Sequence, residues 1–229
     1  MSRAIERPVI PQTKRQPPQG KLSFQEFLEW LDEDTWAEWV EGEVEMVSPA
    51  TTQHQRVQGF LWQVLGIFVR ARGLGEVLGA PYLIELPSVL RGREPDLIFV
   101  AVPRRLEAEA TYLEGAPELV VEIVSPQSVA RDRGSKFVEY EAAGVAEYWL
   151  IDLLRRRAEF YQLDAEGRYA LAFGGAAGVY RSMVVPSFWL RVEWLWQEPL
   201  PPPWRTVAEI AGVDAALVDA FERALMGKG

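Results

Sequence analysis

Two acids and one lysine carry the chemistry that this chain's residue types and spacing allow. Asp96 heads the run Glu94-Pro95-Asp96-Leu97-Ile98-Phe99-Val100, and Glu122 stands near the end of Glu118-Leu119-Val120-Val121-Glu122-Ile123-Val124-Ser125-Pro126. Each interrupts an otherwise apolar stretch, where a carboxylate is costly to bury unless it is paired or bound to a cation. Neighbouring strands lie about 5 Å apart, so two acids on one sheet face can share a divalent ion. Alternation puts Glu118, Val120, Glu122 and Val124 on one face and Leu119, Val121 and Ile123 on the other, leaving Glu122 a lone acid between valines. The lysines are Lys14, Lys21, Lys136 and Lys228, in a chain that otherwise uses arginine. Lys136 follows the two strands, and its compact ammonium suits the steadying of an attacking hydroxide or of negative charge building on phosphorus. The competing readings are that Asp96 and Glu122 are strand-end acids paired with arginines such as Arg93 or Arg131, and that Lys136 is an ordinary exposed helix lysine.

The elements that must position these residues follow from periodicity. Ser23 with Glu26 three residues on forms a capping-box pattern before an apolar face of Phe24, Phe27, Leu28 and Leu31. Residues 39–47 alternate around Gly42, as a hairpin does. A helix is expected over 53–72, with Val57, Phe60, Leu61, Val64, Leu65 and Phe68 at helical spacing, stopped by Gly73 and Gly75. Residues 76–86 read as one strand and 87–93 as a turn, followed by the two acid-bearing strands with a polar loop over 103–115 between them. A helix over 131–143 ends at Gly144, a buried strand covers 145–153, and hairpin-like segments occupy 158–163, 169–173 and 179–183. The tail holds Trp194-Leu195-Trp196, a stiff proline segment at 199–203 and a short helix over 214–226. The order helix, three strands, helix, strand predicts an α/β fold with a mixed central sheet flanked by helices, not a doubly wound alternation.

Composition narrows the function. With 229 residues and 48% hydrophobic content, the chain can bury one substantial core. The absence of cysteine removes disulfides, thiolate metal sites and cysteine nucleophiles, and fits a reducing cytoplasm. Residues 1–20 lack an apolar signal region, and no apolar run is long enough to cross a bilayer, so no membrane partner is expected. A net charge of -9 argues against a broad basic surface wrapped by nucleic acid, although arginines cluster at Arg91/Arg93, Arg104/Arg105, Arg131/Arg133 and Arg155-Arg156-Arg157. The glycines form neither a P-loop nor a dinucleotide fingerprint. A paired-carboxylate glycosidase needs aromatic sugar subsites, and most tryptophans here stand in apolar or tail contexts.

Several blocks in order carry a family resemblance: Glu38-Trp39-Val40-Glu41-Gly42-Glu43; Met46-Val47-Ser48-Pro49-Ala50 with His54; Pro95-Asp96; the strand 118–126; Arg131-Asp132; Lys136; Tyr140; Gly144-Val145; and Glu147-Tyr148-Trp149. Over about residues 38–195 the chain resembles the Uma-two family, which is similar to the PD-(D/E)XK restriction-endonuclease superfamily. The resemblance implies a restriction-endonuclease-like fold and Mg²⁺-dependent hydrolysis of DNA phosphodiester bonds, with Mn²⁺ as a substitute. The family's metal-binding acids fall on Asp96 and Glu122, with the Ile123 carbonyl as a further ligand. Where the superfamily places a lysine two residues after the second acid this chain has Val124, and the resemblance assigns that role to Lys136 on the next helix. Glu38 and Glu43 belong to the family's N-terminal block and supply a further acid, although Glu43 reads equally as the residue closing the hairpin. His54, the one histidine, lies near the site by the resemblance and by its own position reads as a capping or packing residue.

The expected organisation is a flexible arm over 1–20, a nuclease domain over 21–195 and a proline-rich segment with a C-terminal helix over 196–229. Aromatic surface at 188–196 and 199–204 points to a homodimer, which would also suit cutting of both strands. The rival reading is a catalytically degenerate dimeric or DNA-associated module of the same fold, which Val124 and the acidic charge favour.

Overall fold

The computed structural model describes residues 16–32, 34–104, 106–125 and 128–227. The expected arm lies outside them as far as residue 15, as do Pro126 and Lys228. Helix α1 (Phe24–Trp30) starts as its sequence dictates: the Glu26 amide donates to Ser23 Oγ, and the Ser23 amide donates to Glu26 Oε2 at 2.7 Å. A hairpin follows, β1 (Ala37–Val40) and β2 (Glu43–Met46), turned at Glu41 and Gly42, both with positive φ. Helix α2 (Thr52–Ala71) is capped by Thr51, whose side chain accepts from the His54 amide. Then come β3 (Gly75–Gly79), β4 (Leu83–Leu86), β5 (Arg91–Arg93), β6 (Leu97–Ala101), β7 (Tyr112–Glu114) and β8 (Leu119–Val124). One wide π turn (Arg131–Ser135) leads into α3 (Lys136–Ala143), which ends on Gly144 in the left-handed region. Strands β9 (Glu147–Asp152), β10 (Arg157–Leu163), β11 (Tyr169–Gly175), β12 (Val179–Arg181) and β13 (Trp189–Arg191) precede α4 (Pro203–Ala211) and α5 (Ala215–Leu225).

The mixed α/β architecture matches the expectation, and the strands divide between two main sheets. A six-stranded sheet runs β11-β10-β9-β8-β6-β3 and a five-stranded sheet runs β2-β1-β5-β4-β7, with β12 and β13 paired separately. Strand β8 is buried along its whole length, which is why its sequence is a nearly continuous apolar run. Its Leu119, Val121 and Ile123 pack with α2 residues Val57, Leu61 and Leu65, while Val120 and Val124 pack with Tyr140, Tyr148 and Ile84, the last from the smaller sheet. Strands β8 and β9 are parallel and joined through α3, the crossover that a parallel pair requires. Strands β6 and β8 are antiparallel, as expected.

Four local expectations differ, one being that the polar loop expected over 103–115 contains β7, which pairs in parallel with β4. The single strand over 76–86 is broken at Ala80-Pro81 into β3 and β4, which belong to different sheets; Pro81 lacks the amide that a continuing ladder needs. The turn expected over 87–93 contains β5, paired on both sides with β1 and β4. Helix α4 begins inside the proline-rich tail, because Pro203 at its first position gives up only an amide that has no intrahelical partner. Ile210 of α4 joins the main core.

Candidate active site

The elements converge on a cleft of about 610 Å³ whose lining includes Glu38, His54, Glu94, Asp96, Glu122, Ile123, Asp132 and Lys136. The antiparallel register, Leu97 opposite Val121, carries Asp96 to the level of Glu122. Asp96 Oδ2 accepts from the Ile123 amide at 2.6 Å, and Asp96 Oδ1 lies 3.1 Å from His54 Nε2. Gln58, one turn beyond His54 on the same helix face, donates to the Asp96 carbonyl at 2.9 Å. The backbone and both carboxylate oxygens of Asp96 are thus fixed from α2 and β8.

Glu122 meets Lys136 directly. Lys136 Nζ is 2.7 Å from Glu122 Oε1 and 3.0 Å from Glu38 Oε1, and Tyr140, one turn on, donates to Glu122 Oε1 at 2.7 Å. No donor among the described residues reaches Glu122 Oε2. The π turn places Asp132 four residues before Lys136, with Oδ1 3.9 Å from Nζ and otherwise buried without a partner. Glu38 is clamped from behind by Arg93, whose Nη1 donates to Oε2 at 2.8 Å, and Arg93 is itself held by Glu139. Val124 is packed in the apolar core, so the ammonium that meets Glu122 comes from α3.

The electrostatics follow from burial and an excess of acids. Burial alone would pull Lys136 down, but Glu122 and Glu38 outweigh it and hold the ammonium well above the usual lysine range. Burial would raise Glu38, yet Lys136, Arg93 and Arg131 bring it down to about 2. Burial dominates at Glu122, with Asp132, Asp96 and Glu38 adding to it against Lys136, so this carboxyl is raised. Glu94 is raised to about 7 by burial and by the charges of Glu38 and Asp96. Burial lowers His54, but the hydrogen bond and charge of Asp96, with the Ile123 carbonyl, more than offset it and favour the imidazolium. The repulsion among these carboxyls is what a divalent cation would relieve, and the donors are the hard oxygens that Mg²⁺ prefers. Among the described residues no three His, Cys, Asp or Glu side chains form a ready-made cage. Mg²⁺ is often held by only one or two carboxylates with water and phosphate completing its shell, so Asp96, Glu122 and the Ile123 carbonyl suit it.

Of the residues singled out from sequence, Glu38, His54, Asp96, Glu122, Ile123 and Lys136 line this cleft, and Glu43 does not. Glu43 is exposed on β2 opposite Val40, where it closes the hairpin. The arginine pairing considered for the two acids is not what forms: Arg93 binds Glu38 and Glu139, Asp96 meets His54, and Glu122 meets Lys136. Lys136 is buried, not an exposed helix lysine. His54 uses its amide in the helix cap and its side chain on Asp96. Sequence reasoning misses the parts played at the site by Gln58, Glu94, Arg93, Asp132 and Tyr140; the four-residue spacings His54–Gln58, Asp132–Lys136 and Lys136–Tyr140 signal three of them, and no local pattern signals Glu94 or Arg93.

The chain belongs to the Uma2 family, described as "Putative restriction endonuclease", whose model matches residues 24–193. Its fold is similar to that of a solved protein from Anabaena variabilis, described as "a putative nuclease belonging to DUF820", with a TM-score of 0.65 and 17% identity over 76% of this chain and 97% of the other. No curated protein sequence matches the chain. No helix among the described residues is long and apolar enough to cross a membrane.

Proposed function

We propose that the cleft hydrolyses DNA phosphodiester bonds with Mg²⁺, or Mn²⁺ in its place, held by Asp96, Glu122 and the Ile123 carbonyl. The observation that carries this reading is the buried Lys136 ammonium set between Glu122 and Glu38, with Asp96 beside it in one cleft. Such an ion lowers the pKa of a bound water and stabilises charge at the scissile phosphate. The chain's own residues supply position. His54 and Gln58 fix the Asp96 carboxylate and backbone, so its orientation is set before substrate arrives. Glu38, anchored by Arg93, pins Lys136 beside Glu122, where its charge can orient the attacking water or the phosphate. The enzyme acts in the cytoplasm as a homodimer, each protomer cutting one strand.

Nicking of supercoiled plasmid in Mg²⁺ or Mn²⁺ tests the assignment. Asp96→Asn and Glu122→Gln each lose on the order of 10²-fold or more while the fold is retained. Full activity in either variant would sink it. A second reading, a non-catalytic dimeric or DNA-associated module, is favoured by one fact: Glu122 Oε1 is already occupied by Lys136 and Tyr140. Calorimetry separates the two, because no heat with millimolar Mg²⁺ or Mn²⁺ together with no nicking of any DNA selects the module.

A further inference from the structure

A second groove, of about 1080 Å³, adjoins the cleft, and Gln55 in the first turns of α2 lines both. Its two arginines have no carboxylate partner among the described residues, a state that Arg70, Arg72 and Arg181 elsewhere share. Arg91, Arg93, Arg133, Arg155, Arg157, Arg191 and Arg205 each reach a carboxylate, whereas Arg56 and Arg156, both exposed on this groove, reach none among the described residues. Glu198 is the one acid of its lining, in a chain of net charge -9. The first turns of both α2 and α4 line it, and neither turn carries an acidic residue, so two helix N-termini add positive potential to the arginines. The remaining walls include the indoles of Trp196 and Trp204. Trp196 is fixed by donating to the Ala176 carbonyl at 2.8 Å, and Trp204 is 38% exposed.

Unpaired cations and partly exposed indoles in one groove suit a strand whose phosphates meet charge and whose bases stack on aromatic faces. A duplex keeps its bases stacked on one another, so this surface selects unpaired nucleotides. We propose that the groove holds a single-stranded DNA segment, bases against Trp196 and Trp204 and phosphates against Arg56 and Arg156, continuing the strand that enters the cleft through Gln55. This assignment rests on the nuclease reading of the cleft for its direction, and its test does not require cleavage.

Fluorescence anisotropy of labelled oligothymidylate with the full chain in EDTA reads binding alone. Trp204→Ala weakens binding on the order of 10-fold. Arg156→Glu, on an exposed turn, weakens it and lowers the slope of log affinity on log salt by about 0.7 for each phosphate no longer neutralised. Blunt duplex binding is insensitive to Trp204→Ala. Melting temperatures equal to wild type certify the fold of each variant. Wild-type affinity for oligothymidylate in both groove variants overturns the assignment. So does loss, in Trp204→Ala, of self-association or of binding to a proline-rich peptide while oligonucleotide binding persists. A chain that binds the oligonucleotide as described yet nicks no DNA refutes hydrolysis and supports the groove. A chain that nicks DNA while both variants bind unchanged refutes the groove alone.

Discussion

Strands β8 and β9 lie side by side in parallel, and each carries a buried glutamate, with opposite consequences. Glu147, at the start of β9, accepts from Trp149 Nε1 through Oε1 and from Ser182 Oγ and the Met183 and Val184 amides through Oε2. Every partner is a neutral donor and both oxygens are used, so Glu147 is a tie between β9 and the chain before β13. Glu122, on β8, has an ammonium and a phenol on one oxygen, three other acids near it, and a place on the cleft wall. Burial of an acid therefore does not mark a site. The mark is a carboxyl whose neighbours are charged and whose coordination is incomplete.

Replacing each residue by glutamine or a shorter side chain breaks or sharpens that contrast. The largest effect falls on the structural member. Glu147→Ala takes the acceptor from the buried Trp149 indole and from three part-buried donors at residues 182–184, and destabilises the protein by about 4 kcal/mol, measured by urea unfolding. A loss below about 1 kcal/mol would show that the tie is replaceable by water. Next is Lys136→Met, which leaves Glu122 and Glu38 buried without their ammonium and costs about 3 kcal/mol. In a Glu122→Gln background the same change costs less, because one buried charge has gone; equal costs in both backgrounds would mean that the pair is not coupled. Third is Glu122→Gln alone. It loses on the order of 10²-fold in nicking, about 2.7 kcal/mol of transition-state stabilisation, yet stays within about 1 kcal/mol of wild-type stability. The two glutamates thus separate by what they damage.

How much of this the sequence disclosed depends on whether a residue's partners are near in the chain. Asp96 and Glu122 were legible because each interrupts an apolar run, and Lys136 because the chain spends so few lysines. Glu147 has the same local pattern as Glu122, and nothing in its own strand says that its donors come from residues 182–184. Glu38 was legible only through family resemblance; its burial arises from Arg93, a residue of β5 in a segment that reads as a turn. The second sheet was hidden because residues 76–86 have strand composition throughout, and only Pro81 marks where the ladder must end. Helix α4 was hidden for the complementary reason: a proline run suggests stiffness, although proline is at home at a helix's first position.

The smallest effect is one of pH, and it tests whether the cleft end is under electrostatic tension that the Glu147 end lacks. Glu38 and Glu94 shift in opposite directions, so their signs differ. Glu38 binds its proton more weakly when folded; its contribution is present above the unfolded value near 4.5 and is lost as pH falls toward about 2. Glu94 binds its proton more tightly when folded; its contribution is present below the unfolded value near 4.5 and is lost as pH rises through about 7. Glu94→Gln cannot titrate, so relative to wild type it gains on the order of 1 kcal/mol between pH 4.5 and pH 7 after allowance for its partial exposure. Urea unfolding at those two values measures the gain. A variant whose stability tracks wild type across that window would mean that Glu94 is relaxed by solvent, and the contrast would then rest on Glu122 and Lys136 alone.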